Sequence, residues 1–121
     1  MTDKQHSGPL AGIKILEFSE IIAAPFAGML LSDMGADVIK VEPPSGEPWR
    51  GFQPLGLGEG RGYISLNRGK RGIVLDLTAP EAREIAQNIA ARSGVVIVNY
   101  RPDVTAKLGI TMRRSPLRTR G

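Results

Sequence analysis

Apolar and polar positions in the first third of the chain follow the period of a strand, then of a helix, then of a strand. Ile13–Phe18, which contains two β-branched residues, predicts a short strand, and Asp37–Glu42 predicts a second one. Pro25 fits the first position of the intervening helix, where a missing N–H costs nothing, and Gly35 supplies a left-handed stop. The predicted buried face of this helix recurs at helical spacing and consists of Phe26, Met29, Leu30 and Met34.

A second unit of the same kind begins after Gly72. Ile73–Leu77 predicts a strand, and Val95–Asn99 predicts an apolar strand that is covered on both faces. Thr78 and Glu81 predict a capping box at the start of the helix between them. The predicted buried stripe of this helix is Ala82, Ile85, Ala86, Ile89 and Ala90.

These elements predict an α/β protein with a parallel sheet of Rossmann-like β-α-β units, because strands joined through helices run parallel. Asp103–Leu108 predicts a final short helix, and residues 43–66, rich in Pro and Gly, predict a long and partly unfolded loop. Ligands of such sheets bind beyond the carboxyl ends of the strands. Candidate chemistry is therefore expected in the Ser19–Ala24 turn and around Asn99–Pro102.

Two common phosphate-binding motifs are excluded by their spacing. A dinucleotide-binding turn needs glycines directly after the first strand, and this chain has none there. The run Gly56–Gly62 departs from G-x-G-x-x-G and follows no predicted strand. A P-loop also fails, because Ile64 stands where the motif needs its first glycine and Arg71 replaces its Ser or Thr.

Composition excludes further classes of site. The 121 residues include no cysteine, so thiol nucleophiles, disulfides and cysteine metal sites are absent from the sequence. No segment approaches the roughly 20 apolar residues of a membrane span, so no membrane partner is expected. The single histidine, His6, lies in a polar leader, which argues against a Ser-His-Asp triad and against a metal site. The expected location is cytoplasmic.

The net charge of +4 does not indicate a nucleic-acid-binding surface. Residues 1–111 carry equal numbers of acidic and basic side chains. The excess comes from the last ten residues, through Arg113, Arg114, Arg118 and Arg120. No aromatic residue interleaves these arginines, which argues against stacking on single-stranded nucleic acid.

Three segments together resemble the N-terminal part of the family III CoA-transferases, also called the CaiB/BaiF family. They are Gly12–Pro44, Tyr63–Leu77 (YISLNRGKRGIVLDL) and Val95–Ile110 (VVIVNYRPDVTAKLGI). The resemblance implies an enzyme that transfers CoA between an acyl-CoA thioester and a carboxylic acid, with subunits that interlock as a homodimer. The family's nucleophilic aspartate lies downstream of the last segment. The chain is therefore expected to be a truncated CoA-binding portion of the large domain, without a catalytic residue or turnover of its own.

The expected organisation has three parts. Residues 1–8 form a flexible leader, residues 9–110 a partial α/β domain of the family, and residues 111–121 a disordered basic tail. Family members continue beyond this point with a further helix and an NP-x-L strand, so the arginine-rich tail suggests a frameshift or a truncated gene. Four strands with an unpaired edge are expected to be marginally stable or prone to aggregation.

Three cationic side chains precede the third predicted strand. Arg68, Lys70 and Arg71 offer donors for the phosphates of CoA, and a solvated turn is the alternative. Asn99, Tyr100 and Arg101 lie at the carboxyl end of the fourth predicted strand. There an amide, a ring and a guanidinium can contact a ligand, or instead cap the turn, pack and remain solvated.

The resemblance adds further CoA-binding positions, carried over by their place in the motifs. They are Ile22, Ala23, Leu75, Asp76, Leu77, Thr78, Asn99, Tyr100, Arg101 and Lys107. Many family members have a polar residue where Ile22 stands, so backbone contacts are expected at this turn. Within the family, an α-methylacyl-CoA racemase remains an alternative activity. Outside it, the alternative is a non-enzymatic α/β fragment that binds a nucleotide or a partner.

Overall fold

The structure, a computed structural model, describes residues 7–52 and 60–109. His6, the predicted basic tail and most of the Gly56–Gly62 run lie outside these residues. The elements follow in the order β1 Lys14–Phe18, α1 Ala23–Asp33, β2 Asp37–Glu42, a 3-10 turn Pro48–Gly51, α2 Arg61–Leu66, β3 Arg71–Val74, α3 Pro80–Ala91, β4 Val95–Val98 and α4 Pro102–Lys107.

The four strands form one sheet in the order β3-β2-β1-β4. All three pairings are parallel, which confirms the predicted α/β fold. In the register, Leu16 of β1 is aligned with Ile39 of β2 and with Val96 of β4. Because β1 lies between β2 and β4, the turn that follows it is flanked by the loops that follow both neighbours.

The sheet face that packs against α3 is apolar. Leu16 and Phe18 of β1 and Val41 of β2 are almost completely buried and cluster with Ala82 and Ala86 of α3. Fully burying a large apolar side chain contributes roughly 1.5–3 kcal/mol. This face therefore supplies most of the apolar core.

The opposite face, under α1, changes from apolar to charged along the strands. Ile15 and Val38 form a small apolar cluster with Ala36. Glu17 and Lys40 follow two residues later on the same face, are aligned with each other in the register, and are 0% and 2% exposed. The carboxyl half of this face is thus built from buried charges.

Helix α1 turns a different side to the sheet from the one that its periodicity predicts. It begins at Ala23, so Pro25 occupies the third position, where no intrahelical N–H partner is required. Its buried residues are Ala24, Pro25, Gly28, Met29 and Ser32. The remaining residues of the predicted buried face are exposed: Phe26, Leu30 and Met34.

The physical reason for this difference is the space that the buried charges occupy. A Cβ added at Gly28 would collide with the carboxylate of Glu17. Mostly small residues therefore face the sheet, with Met29 as the one large apolar residue among them, and Phe26 and Leu30 point away from it.

Three other local predictions are wrong in the described residues. The predicted capping box is absent, since Ala79 is the N-cap of α3 and the Thr78 hydroxyl donates to Asp76 at 2.6 Å. Ile85 is 45% exposed, because the stripe of α3 that faces the sheet is narrower than predicted. No residue of β4 is buried and Val95 is 42% exposed, so this strand is not covered on both faces as predicted.

Several element boundaries also differ from the prediction, most of them by one residue. The third strand begins at Arg71 and ends at Val74, two residues before the predicted start and three before the predicted end. The predicted loop over residues 43–66 contains the 3-10 turn and α2 in its described parts.

Gly35, the residue after the C-cap of α1, allows the close packing of the chain at the end of this helix to be tested. Gly35 has φ +105°, and an added Cβ would lie 2.5 Å from the carbonyl oxygen of Ser7. We expect Gly35→Ala to lower the free energy of unfolding by about 2 kcal/mol, measured by urea unfolding. Gly72→Ala is the matched control, since nothing lies within 4 Å of its added Cβ. Equal effects of the two substitutions would contradict the packing described for Gly35.

Candidate functional site

The carboxyl ends of β1 and β4 are joined through Asn99. Its backbone N–H donates to the carbonyl of Phe18 at 3.2 Å. In its side chain, Oδ1 accepts from the Glu20 N–H and Nδ2 donates to the Glu20 carbonyl, both at 3.1 Å. Asn99 thus caps the turn after β1, which is one of its two predicted roles. A ligand contact by this side chain stays a prediction.

The same turn contains an unfavourable backbone conformation. Ile21 has φ +71°, the only positive φ of a non-glycine residue in the described segments. Its N–H donates to Glu47 Oε1 at 3.0 Å. Two residues earlier in the chain, the Ser19 hydroxyl donates to Glu17 Oε2. The turn is therefore held from β1, from β4 and from the loop after β2.

Four charged side chains form what we call the buried charge cluster: Glu17, Lys40, Glu47 and Lys70. Their side chains are at most 2% exposed. Lys40 pairs with Glu47, and Lys70 Nζ lies 3.0 Å from Glu17 Oε2. Asn67 Oδ1 accepts from Lys40 at 2.9 Å and from Lys70 at 2.8 Å. Two cations and two carboxylates balance, which is what makes their burial tolerable.

One oxygen of this cluster is left without a donor. Glu17 Oε1 is buried and has no hydrogen-bond partner among the described residues. It faces Gly28 of α1, where an added Cβ would collide with it. The other oxygen, Oε2, carries the contacts with Ser19 and Lys70.

The three cations predicted as phosphate ligands do not come together. Arg68 pairs with Asp33 at the end of α1, and Arg71 pairs with Asp37 at the start of β2, each at 2.8 Å on the surface. Both pairs lie toward the amino end of the sheet, opposite the carboxyl edge. Their phosphate-binding role stays a prediction.

Lys70 differs from Arg68 and Arg71 because all hydrogen bonds of its ammonium go to acceptors inside the protein. It donates to Glu17, to Asn67 and to the carbonyl of Pro25 at 2.9 Å. These three acceptors use all three of its N–H groups. Burial lowers the pKa of Lys70, and the charge of Glu17 opposes that shift.

A second polar group ties the loop after β2 to the end of that strand. Arg50 donates from Nε and Nη2 to the carboxylate of Glu42, both at 2.8 Å. The Tyr63 hydroxyl also donates to Glu42, at 3.0 Å. Burial raises the pKa of Glu42, but the hydrogen bonds from Arg50, the Glu47 N–H and Tyr63 outweigh it and lower the pKa to about 2. Burial and the Glu42 charge raise the pKa of Tyr63.

The segment after β3 contributes mainly backbone and one carboxylate to the edge. Leu75 and Leu77 point into the core and are 8% and 7% exposed. Asp76 is exposed, and hydrogen bonds from the hydroxyl and N–H of Thr78 hold its pKa below the usual value. Predicted CoA contacts at the two leucines would therefore have to involve their backbone.

The segment after β4 contains two solvent-exposed cations, Arg101 and Lys107. Tyr100 packs against the apolar core, and burial with the nearby Glu20 charge raises its pKa to about 12. The Arg101 side chain is 83% exposed and lies 3.3 Å from Asp103. Lys107 is exposed in the last turn of α4.

Ile22 and Ala23 are exposed at the start of α1, where the first N–H groups have no intrahelical partner.

The arrangement can therefore bind an anionic or amide-bearing ligand through backbone groups and Arg101. Within the described residues, no group of three His, Cys, Asp or Glu side chains is placed to hold a metal ion. In the same ranges, no helix has the length and apolarity needed to cross a membrane.

The buried charge cluster was missed by the sequence analysis, although the sequence carries a signal for it. Side chains alternate between faces along a strand, so Glu17 and Lys40 occupy positions that face α1. Charged residues at such positions of covered strands indicate a paired buried cluster. Glu47 has no such signal, because it lies in a loop.

A family model and similar characterised proteins indicate the same family for this chain. A match to CoA-transferase family III spans residues 10–118, eight residues further than the segment in which we found a resemblance. The succinate–glutarate CoA-transferase of Agrobacterium fabrum is 40% identical over 119 residues, covering 91% of this chain and 30% of that protein. The human succinyl-CoA:glutarate CoA-transferase is 38% identical, covering 90% of this chain and 25% of that protein.

Solved structures agree with this result. A CaiB/BaiF family protein from Brucella suis superimposes with a TM-score of 0.82 at 37% identity, over 88% of this chain and 29% of that one. A mutant of Rv3272 from Mycobacterium tuberculosis gives a TM-score of 0.85 at 35% identity, over 94% and 31%. The chain thus spans between 25% and 31% of the length of these relatives.

The contrast between the two kinds of cation can be tested through stability. Lys70→Met leaves the Glu17 carboxylate buried with fewer donors, so we expect the free energy of unfolding to fall by about 3–5 kcal/mol. Arg68→Met removes only a surface ion pair and is expected to cost less than about 1 kcal/mol. Urea unfolding of both variants measures the difference. Similar losses would show that Lys70 is not part of a buried cluster.

The lowered pKa of Glu42 predicts a specific acid sensitivity. A carboxylate with a depressed folded pKa stabilises the protein above its unfolded pKa of about 4.5, and this stabilisation is lost as the pH falls towards about 2. We expect the wild type to lose about 1–2 kcal/mol more stability than Glu42→Gln between pH 7 and pH 3, after allowing for solvent screening. Urea unfolding at the two pH values measures this, and parallel profiles would refute it.

Proposed function

Because the chain belongs to CoA-transferase family III, we propose that it forms the part of such an enzyme that binds the CoA moiety of an acyl-CoA. The enzyme would transfer CoA between the thioester and a carboxylic acid. The observation that carries this proposal is the joining of the β1 and β4 ends by Asn99, which brings two predicted CoA segments to one edge of the sheet.

The proposed binding surface combines three segments. It consists of the backbone at Ile22 and Ala23, the turn Asp76–Thr78, and the segment from Asn99 to Arg101, with Lys107 beyond it. Arg101 is the best placed cation for a CoA phosphate, because it is exposed and its ion pair with Asp103 lies on the surface. Arg68 and Arg71 are left out of the proposal, because their ion pairs lie towards the other end of the sheet.

We further propose that the chemical steps depend on residues beyond this chain's sequence. The family resemblance implies an aspartate that attacks the acyl-CoA thioester, forms a mixed anhydride and releases CoA as the thiolate, and in this proposal that aspartate is not one of the 121 residues. The 121-residue chain is then a binding part without turnover. The interlocked homodimer and the cytoplasmic location stay predictions.

Calorimetric titration of the 121-residue chain with CoA tests the binding proposal. We expect weak binding that weakens further with added salt, since ions screen the attraction between Arg101 and a phosphate. Arg101→Gln should reduce the affinity about threefold to tenfold, the loss of an exposed charge-assisted hydrogen bond.

Arg92→Gln is the matched control, because Arg92 is exposed at the C-cap of α3, away from the proposed edge. It should leave the affinity unchanged. Absence of binding at millimolar CoA would favour a non-enzymatic fragment. Thioester exchange by the purified chain would refute the proposal that it lacks the catalytic residue.

A further inference from the structure

The conformation of Ile21 needs a restraint that its own side chain does not provide. A β-branched residue at φ +71° is a backbone outlier, since its Cβ crowds the following carbonyl. Such conformations persist only where the surroundings over-determine them. The Ile21 side chain is 39% exposed, so its packing is incomplete. Hydrogen bonds of the backbone are left as the restraint.

Glu47 supplies this restraint directly. Its Oε1 accepts the N–H of Ile21 at 3.0 Å. Glu47 is itself immobilised, because Oε2 pairs with the Lys40 ammonium and its own N–H donates to Glu42 at 2.8 Å. The residue is 3% exposed, so water does not compete for these contacts.

The conformation of Ile21 determines in which direction the backbone N–H groups after it point at the carboxyl edge of the sheet. On one side of Ile21, both backbone groups of Glu20 are fixed by Asn99. On the other side, Ile22 is the N-cap of α1 and Ala23 its first residue. A change of φ at Ile21 would therefore redirect the N–H groups of Ile22 and Ala23.

We propose that Glu47 is a positioning residue of the CoA site. It holds Ile21 in the left-handed conformation, and this presents the N–H groups of Ile22 and Ala23 to the ligand. The identity of the ligand rests on the proposed function. The control of the turn by Glu47 is a separate claim.

The test uses the 121-residue chain with Glu47→Gln. In Glu47 the Ile21 N–H and the Lys40 ammonium are bound by different carboxylate oxygens, and glutamine replaces one of these oxygens with an NH2 group that cannot accept. We expect the oxygen to stay with the buried charge, Ile21 to relax to negative φ, and the affinity for CoA to fall about tenfold, or about 1.4 kcal/mol. Glu84→Gln makes the same charge change on the exposed side of α3 and should alter neither property.

A rescue separates positioning from a general loss of structure. Glycine adopts positive φ without a Cβ penalty. Ile21→Gly in the Glu47→Gln background should therefore restore the affinity to within about threefold of the wild type. Failure of this rescue, with both variants folded, would overturn the proposal.

A second substitution leaves the buried charge cluster intact. Ile21→Pro removes the N–H and fixes φ near −65°. It should abolish CoA binding while the circular dichroism spectrum is retained. If Glu47→Gln fails to fold, this variant decides, and unchanged affinity in Ile21→Pro would overturn the proposal.

NMR of the unliganded chain keeps this inference distinct from the proposed function. Backbone shifts and the amide coupling of Ile21 report its φ without any ligand. A shift to negative φ in Glu47→Gln but not in Glu84→Gln supports the positioning role even if the wild type does not bind CoA, in which case the proposed function alone fails. Retained positive φ in Glu47→Gln overturns the positioning role.

Discussion

The structure depends on the pairing of four charged side chains buried beneath α1. Each ion loses its hydration at a cost of several kcal/mol, and only opposite charges and hydrogen bonds in the same small volume offset that cost. The pairs come from β1, β2, the loop after β2 and the turn before β3. Segments far apart in the sequence are thereby fixed to one another, and the loop that bears Glu47 cannot move without separating it from Lys40.

This constraint decides how α1 packs. The carboxylate of Glu17 lies directly under Gly28, so the helix presents mostly small residues to the sheet, together with Met29. Four other large apolar residues form a ridge on the described surface at intervals of four, made of Ile22, Phe26, Leu30 and Met34. Hydrophobic periodicity identifies two sides of a helix, but the shape and charge of the sheet beneath decide which side is buried.

Local sequence patterns were sufficient to predict the sheet and the family. The bounds of β2 agree with the structure, the alternation of strands and helices indicated the parallel sheet, and the motifs identified the family. Prediction failed where a competing contact decides the outcome. The Thr78 hydroxyl was predicted to cap α3, but Asp76 competes for it. The phosphate contact predicted for Lys70 stays a prediction, and the local pattern did not indicate that its ammonium contacts Glu17, fifty-three residues earlier.

The ion pairs of the three cations around the start of β3 limit which groups are available at the candidate site. Each has an acceptor within the chain, so a cluster of basic residues in the sequence does not by itself locate an anion site. At the carboxyl edge the described groups are mostly backbone, with Arg101 as an exposed cation. An isoleucine at position 22 has no polar side-chain group to offer there. If this turn binds the CoA moiety as proposed, recognition there depends on the direction of backbone N–H groups, and that direction is set by the conformation of the residue before them.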